Sequence, residues 1–182
     1  ATTNNSAINF TASTGQGGDV TLDDDANLIV GTGSGNITFG GDILGTASSN
    51  ATDVNLTTTG TLTVKGIGHN TGGAADGNIN AVTLTGGTIS LNGTISTAVE
   101  GGSGGGASNK GNVDINGAVS LAGATVIDTS SSGGTVNFDN KINGGNNLTI
   151  KSGAGNVAIT GVIGGDTTIG SLDINQSAGT GA

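Results

Sequence analysis

The stretch Asn27 to Ile43, NLIVGTGSGNITFGGDI, returns further along the chain as Asn147 to Ile163, NLTIKSGAGNVAITGVI. Seven of the 17 paired positions are identical, and most of the others exchange one aliphatic or one small residue for another. A second match aligns residues 81–89, AVTLTGGTI, with residues 118–126, AVSLAGATV. Internal similarity of this kind is typical of solenoids, in which each unit buries its apolar face against its neighbours.

A short pattern of glycine, polar, apolar, polar and apolar residues recurs along the chain, as in GNITF (35–39) and GNVAI (155–159). Alternation with period two predicts strands with one buried face. The residues predicted to point inward are Val20, Leu22, Ile37, Phe39, Ile89, Leu91, Val113, Ile115, Val136, Phe138, Val157 and Ile159. We expect the glycines to serve turns, because glycine adopts positive φ at little cost.

The spacing of these glycines predicts the architecture. Gly111, Gly134 and Gly155 follow one another at nearly equal intervals, and the interval suits one rung of a three-sided parallel β-helix. The sequence therefore predicts an all-β, single-stranded parallel β-helix of about eight rungs of about 21–24 residues, roughly 40 Å long. A β-sandwich is the alternative, since short alternating strands with glycine turns suit it too, although sandwiches rarely repeat internally. We expect residues 1–182 to be a single solenoid domain, either a repeat unit or a fragment of a longer fibre.

Two glycine-rich insertions interrupt the regular spacing, at residues 66–77 and 101–111. The interval between their last residues, Gly77 and Gly111, equals one rung plus one insertion, so both are predicted to emerge at the same corner of adjacent rungs. Together they would form a paired protrusion suited to binding a glycan or a host surface. The candidate binding residues in and beside these loops are His69, Asn70, Asp76, Glu100, Asn109 and Lys110.

Composition limits the partners of the chain. The net charge is −9, and the four basic residues are all lysines, so nucleic-acid binding is not expected. Cysteine is absent, which excludes disulfides and thiolate metal sites. No apolar run is long enough to span a bilayer as a helix.

Few residues are suited to catalysis or metal binding. Asp19, Asp23, Asp24 and Asp25 form an acidic group that is a candidate calcium site, although it matches no known calcium-loop spacing. His69 is the sole histidine and accompanies no nucleophile pattern. A β-helix polysaccharide lyase or hydrolase would need converging carboxylates, and Asp114 and Asp173 are the outward candidates. We therefore expect no enzyme activity, no catalytic residues and no cofactor apart from the candidate calcium.

Six Asn-x-Ser/Thr sequons are candidate glycosylation sites in a secreted protein, although a chain rich in Asn and Thr produces such triplets by chance. They lie at Asn4, Asn36, Asn50, Asn55, Asn92 and Asn147.

The alternating strands closed by glycine, clearest in GNVAITGVIGGDTTIGSLDI (155–174), resemble the β-strand-repeat regions of large bacterial surface proteins. These include filamentous-haemagglutinin-like exoproteins and autotransporter passengers. The resemblance implies a right-handed β-helix that is secreted to the cell surface or a biofilm matrix, where it acts as an adhesin, a stalk or a fibre. It brings no catalytic residues with it.

The sequences at the two ends of the chain predict how it associates. Neither ATTNNSAINFTA at the start nor SLDINQSAGTGA at the end contains a helix or polar segment that would cap a solenoid. The expected partner is therefore the chain itself, through tandem copies or end-to-end stacking. Such stacking is heterologous and does not close, which produces filaments. A structural extracellular filament or stalk is thus the first hypothesis, a loop-borne binding module the second, and a polysaccharide-degrading enzyme the third.

Overall fold

The computed structural model describes residues 5–11, 18–23, 26–45, 52–68, 79–97 and 111–174. These residues form 15 strands and no helix, and every pairing between strands is parallel. The strands are β1 (Ile8–Phe10), β2 (Val20–Leu22), β3 (Leu28–Gly31), β4 (Ile37–Gly45), β5 (Asp53–Thr57), β6 (Thr61–Ile67), β7 (Ala81–Leu91), β8 (Thr94–Ser96), β9 (Val113–Leu121), β10 (Thr125–Asp128), β11 (Val136–Phe138), β12 (Ile142–Asn143), β13 (Leu148–Lys151), β14 (Val157–Ile159) and β15 (Leu172–Ile174).

The strands stack on three sides of a parallel β-helix, and the chain visits sides 1, 2 and 3 in turn. Four longer strands, β4, β6, β7 and β9, bend at a corner and contribute to two sides each. Side 1 consists of β1, residues 37–39, 61–64, 88–91 and 118–121, β12 and the single bridge at Ile163. Side 2 consists of β2, residues 43–45 and 66–67, β8, β10, β13 and β15. Side 3 consists of β3, β5, residues 81–85 and 113–116, β11 and β14.

Aliphatic side chains form axial columns inside the helix. On side 2 the paired positions from the second rung onward are all isoleucine, namely Ile43, Ile67, Ile95, Ile127, Ile150 and Ile174. Parallel pairing in register places identical β-branched side chains over one another, which suits close packing. At the first rung Phe10 stacks on Phe39 with ring centroids 4.5 Å apart.

The predicted inward residues are confirmed. Nine of the twelve are buried, and Val20, Val157 and Ile159 are partly buried and pack against the same core. The last two belong to β14, which pairs on one edge only among the described residues. The period-two pattern therefore identified the buried face correctly along the whole stack.

The predicted rung number and length need correction. No side holds more than seven strands among the described residues, against the eight rungs expected, so the described stack is about 30 Å long rather than 40 Å. Rungs are also less uniform than expected outside the two insertions, because the interval from Ile8 to its stacked partner Ile37 is clearly longer than the interval from Val136 to its partner Val157. The extra length lies in corner loops, which are under no constraint to match between rungs.

Candidate functional site

The candidate binding residues of the two insertions lie outside the described residues. This applies to His69, Asn70, Asp76, Glu100, Asn109 and Lys110. The strands that flank the insertions are described, and they show where both loops leave the helix. Residues 66–67 and β8 lie on side 2 of adjacent rungs, and residues 81–85 and 113–116 lie on side 3 of adjacent rungs. Both insertions therefore depart from the corner between sides 2 and 3, one directly above the other.

A buried hydroxyl closes this corner at the base of the second insertion. Thr97 is fully buried, and its hydroxyl donates to the carbonyl of Gly111 at 2.5 Å, across the inserted residues. In the next rung Thr129 makes the same contact with Gly134 at 2.7 Å, across the short turn formed by residues 130–133. In these two rungs the same clamp joins sides 2 and 3 across loops of very different length.

A polar cleft of about 220 Å³ opens on side 3 beside this corner. Its polar lining comes from three stacked rungs and consists of Asp53, Asn55, Thr83, Asn112 and Asp114. Asp53 accepts a hydrogen bond from the side chain of Asn80 at 2.8 Å, and Asn112 accepts one from the main chain of Thr135 at 2.9 Å. Since Asn80 and Asn112 closely follow the two insertions in sequence, the cleft lies at the foot of both loops.

The carboxyl of Asp114 lies in this cleft, and its pKa is raised. Partial burial of its carboxyl is the main cause of its raised pKa, and the nearby charge of Asp139 raises that pKa further. Asp139 directly follows β11, the strand stacked on residues 113–115. Side 3 therefore holds a region of negative potential in which no described lysine lies.

The two outward aspartates considered for a polysaccharide-degrading site lie on different sides of the helix. Asp114 lies on side 3, whereas Asp173 lies on side 2 at the last described rung. In the described part of the acidic group near residue 20, Asp19 uses a carboxylate oxygen to accept the main-chain N–H of Asp42 at 2.8 Å. Asp24 and Asp25 lie outside the described residues. Within the described ranges no group of three or more potential metal-ligating side chains occurs.

Three lysines each reach an aspartate in a neighbouring rung. Lys141 binds Asp166 at 2.5 Å, and the pairs Lys65–Asp42 and Lys151–Asp128 are 3.6 and 3.8 Å apart. The hydrogen bond from Lys141, together with its charge, lowers the pKa of Asp166. Exposed pairs of this kind contribute little to stability because water screens them, so they adjust the stacking rather than determine it.

Asparagine side chains form a second set of links between rungs, which sequence reasoning missed. Asn27, Asn36 and Asn112 each directly precede a strand, and each accepts a main-chain N–H at the start of the strand stacked above. The accepted groups belong to Asp53, Thr61 and Thr135, at 2.8, 2.9 and 2.9 Å respectively. Part of the signal is the Gly-Asn pair that precedes the strand at Asn36 and at Asn112, whereas Asn27 follows an alanine.

Four of the six sequon asparagines are described, and all four are exposed: Asn36, Asn55, Asn92 and Asn147. Asn4 and Asn50 lie outside the described residues. Asn36 already uses its side-chain oxygen in the link to Thr61.

The two ends of the described stack carry unpaired strand edges. Among the described residues, β1, β2 and β3 of the first rung pair only with strands of the second rung. In the last described rung, β14, Ile163 and β15 pair only with strands of the rung before. Apolar side chains at this end are exposed, with Ile163, Leu172 and Ile174 at 36%, 39% and 43%.

Comparison with protein-family models, with curated proteins and with solved structures finds no match to this chain. No helix capable of crossing a membrane occurs in the part of the chain that the structure describes. The function is therefore inferred from the solenoid, from the two ends of the described stack and from the corner between sides 2 and 3.

Proposed function

We propose that this protein is a structural, non-enzymatic element of an extracellular filament or adhesin stalk, in which copies of the chain stack end to end. The observation that carries the proposal is the match between the two ends of the described stack. The first rung presents the edges of β1, β2 and β3, and the last described rung presents those of β14 and β15 together with the bridge residue Ile163; each set covers all three sides and has apolar residues behind it. A second copy is therefore an occupant of suitable shape and chemistry for the exposed edge.

Physical properties of the stack support a mechanical role. The described rungs are joined by main-chain ladders on three sides and by one continuous apolar core, and three asparagine links add to these at individual junctions. An edge that is unpaired in water gains these same interactions when another rung docks on it. The net charge of −9 disfavours side-by-side aggregation of rods, so growth along the axis is favoured over clumping.

Charge placed on the exposed apolar edge tests this proposal. The variant Leu172→Asp/Ile174→Asp puts two carboxylates where the next rung would dock, and we expect it to remain monomeric. The control is Asn156→Asp/Ala158→Asp, which adds two charges on outward, exposed positions of the same rung. Both proteins are compared with the unmodified chain by sedimentation velocity and negative-stain electron microscopy.

We expect rods of constant width for the unmodified chain and for the control, and single particles for the edge variant. Far-ultraviolet circular dichroism checks that each variant is folded. Single particles for all three proteins, at concentrations far above those needed for imaging, would contradict the proposal.

A second candidate function has an observation of its own. Both insertions leave the same corner, and the polar cleft with Asp53 and Asp114 lies at their foot. This arrangement suits a binding module for a glycan or a host surface. Replacing residues 98–110 and 69–78 with the short turn of residues 130–133 separates the two functions, because rods would still form while adhesion of the protein to glycan arrays or host cells would be lost. Adhesion that survives both replacements would contradict the loop-borne module.

A further inference from the structure

The polar cleft on side 3 has the shape and the chemistry of a binding site for one sugar residue. We infer that it binds an amine-bearing sugar and that Ala81, which lines the cleft, creates the space for it. This inference rests on the second candidate function, the binding of a glycan at this corner, and does not depend on filament formation. Three observations carry it: an interruption in the asparagine links, the hydrogen-bonding groups around the cleft and the distribution of charge over the three sides.

Ala81 interrupts an axial row of polar side chains on side 3. The row consists of Asn27, Asp53, Ala81, Asn112, Thr135 and Asn156. In this row the side chain of Asn27 accepts the main-chain N–H of Asp53, and the side chain of Asn112 accepts that of Thr135. Ala81 has no acceptor to offer to Asn112, the residue stacked on it. The interruption therefore opens the cleft and leaves the main-chain N–H of Asn112 without a side-chain acceptor from the rung below.

The amide side chains of the cleft are oriented so that they supply donors. The side-chain oxygen of Asn112 is engaged by the main chain of Thr135 at 2.9 Å. The side-chain oxygen of Asn55 accepts the hydroxyl of Thr57 at 3.3 Å. An amide whose oxygen is engaged in this way retains its side-chain N–H groups as donors. Both asparagines therefore offer N–H groups to a ligand in the cleft.

The acceptors of the cleft are carboxylates. Asp53 lies beside Ala81 in the same row, and Asp114 lies in the next outward row together with Asn55 and Thr83. A sugar hydroxyl both donates and accepts, so it pairs with carboxylates and amide N–H groups that lie side by side. The volume of about 220 Å³ is smaller than the roughly 300–1,000 Å³ of clefts that hold drug-sized ligands. The cleft therefore suits one sugar ring.

The distribution of charge favours a sugar that carries an amine. The three described lysines pair with aspartates along sides 1 and 2, whereas side 3 carries Asp53, Asp114 and Asp139. Negative potential in the cleft repels a uronic acid or a sulfated sugar and attracts an ammonium group. Burial and the charge of Asp139 both disfavour the ionised carboxyl of Asp114, and a bound ammonium group would offset both effects.

The exchange Ala81→Asn tests the site without altering the charge of the chain. The new amide continues the row by accepting the N–H of Asn112, and its side chain occupies the cleft. We expect an equal or higher urea midpoint and a loss of sugar binding. The matched control is Ala118→Asn, the same exchange at an outward position of side 1, which should retain binding. Non-specific attraction of a cation to the net charge of −9 is the same in all three proteins.

Isothermal titration calorimetry with short oligomers of glucosamine, N-acetylglucosamine and glucuronic acid measures the selectivity. These probes carry an amine, no charge and a carboxylate on similar rings. We expect the unmodified chain to bind the glucosamine oligomer, to bind the uncharged oligomer roughly tenfold more weakly, and not to bind the acidic one. Asp114→Asn retains the shape of the side chain and should remove most of the advantage of the amine. It provides a second test that does not depend on filling the cleft.

Binding of the glucosamine oligomer that Ala81→Asn abolishes and Ala118→Asn retains would support the site. Equal binding by Ala81→Asn and the unmodified chain would overturn it, and tighter binding of the uncharged or acidic oligomer would overturn the choice of an amine. Glycan ligands that require the two insertions but still bind Ala81→Asn would leave the second candidate function standing and refute the cleft. The absence of binding to any glycan would contradict both.

Discussion

Replacement of one corner glycine provides a quantitative test of how closely the rungs approach one another. A Cβ atom added at Gly117 would lie 2.0 Å from the carbonyl oxygen of Gly86 in the preceding rung. Carbon and oxygen normally approach to about 3.3 Å, so the two rungs must separate by roughly 1.3 Å at this corner. The matched control is Gly145→Ala, because a Cβ there meets nothing within 4 Å and neither glycine has a positive φ.

The expected cost follows from the contacts near Gly117. Separation of the rungs weakens about two ladder hydrogen bonds between β7 and β9, at about 0.5–1.5 kcal/mol each. Forced repacking adds about 1–3 kcal/mol, so Gly117→Ala should cost about 2–6 kcal/mol and lower the Tm by roughly 4–24 °C. Gly145→Ala should change stability by less than about 0.5 kcal/mol. Urea titration followed by circular dichroism measures both, and equal midpoints for the two variants would refute the close approach of the rungs at this corner.

Three further predictions concern buried hydroxyls, one carboxyl and the isoleucine column. Thr129→Val removes the hydroxyl that donates to the carbonyl of Gly134 and should cost about 1–3 kcal/mol in the same urea titration. Thr52→Val removes a buried hydroxyl that has no hydrogen-bond partner among the described residues, so it should be neutral or stabilising. Because the pKa of Asp114 is raised in the folded state, the stability of the protein should fall as pH rises from 3.8 through the folded pKa. Asp114→Asn should therefore be at least as stable as the unmodified chain at pH 7, and this advantage should disappear below pH 3.8. Thermal melts at several pH values measure the difference. Ile127→Val should cost about 0.5–1.5 kcal/mol, and the same change at the exposed Ile174 should cost clearly less; equal losses would contradict the burial of the column.

The buried face of the stack could be predicted from the sequence because it depends on a local property. Residues such as Val113 and Ile115 alternate with polar neighbours, and period-two alternation places them on one face whatever the rest of the chain does. The spacing of Gly111, Gly134 and Gly155 likewise predicts the length of these rungs correctly, because the three glycines precede strands that stack on one another on side 3.

Which side each strand occupies could not be predicted, since the three sides have the same chemistry. The repeat that links residues 27–43 with 147–163 joins segments on different sides, so the interval between them is not a whole number of rungs. The expectation of rungs of about 21–24 residues outside the two insertions was an overgeneralisation from the shortest spacings. Corner loops vary in length without disturbing the stack, as the clamps at Thr97 and Thr129 illustrate.

The role assigned to the recurring glycines was also incorrect for several of them. Gly35, Gly87 and Gly155 have no positive φ, and a Cβ at each would lie 2.0 to 2.3 Å from a carbonyl oxygen of the preceding rung. Glycine is needed there because two main chains meet, and that contact joins residues of different rungs, which are far apart in sequence. The asparagine links escaped prediction for the same reason, since their acceptors and donors become neighbours only after the rungs stack.

Cryo-electron microscopy of the assembled protein tests the central claim most directly, because stacking across molecules extends the strand spacing along the whole rod. We predict rods many times longer than the roughly 30 Å of one described stack, with an unbroken axial repeat of about 4.8 Å through every junction between copies. Isolated particles one chain long, or rods in which the strand-spacing repeat runs across the axis or is interrupted at each junction, would contradict end-to-end stacking of the rungs.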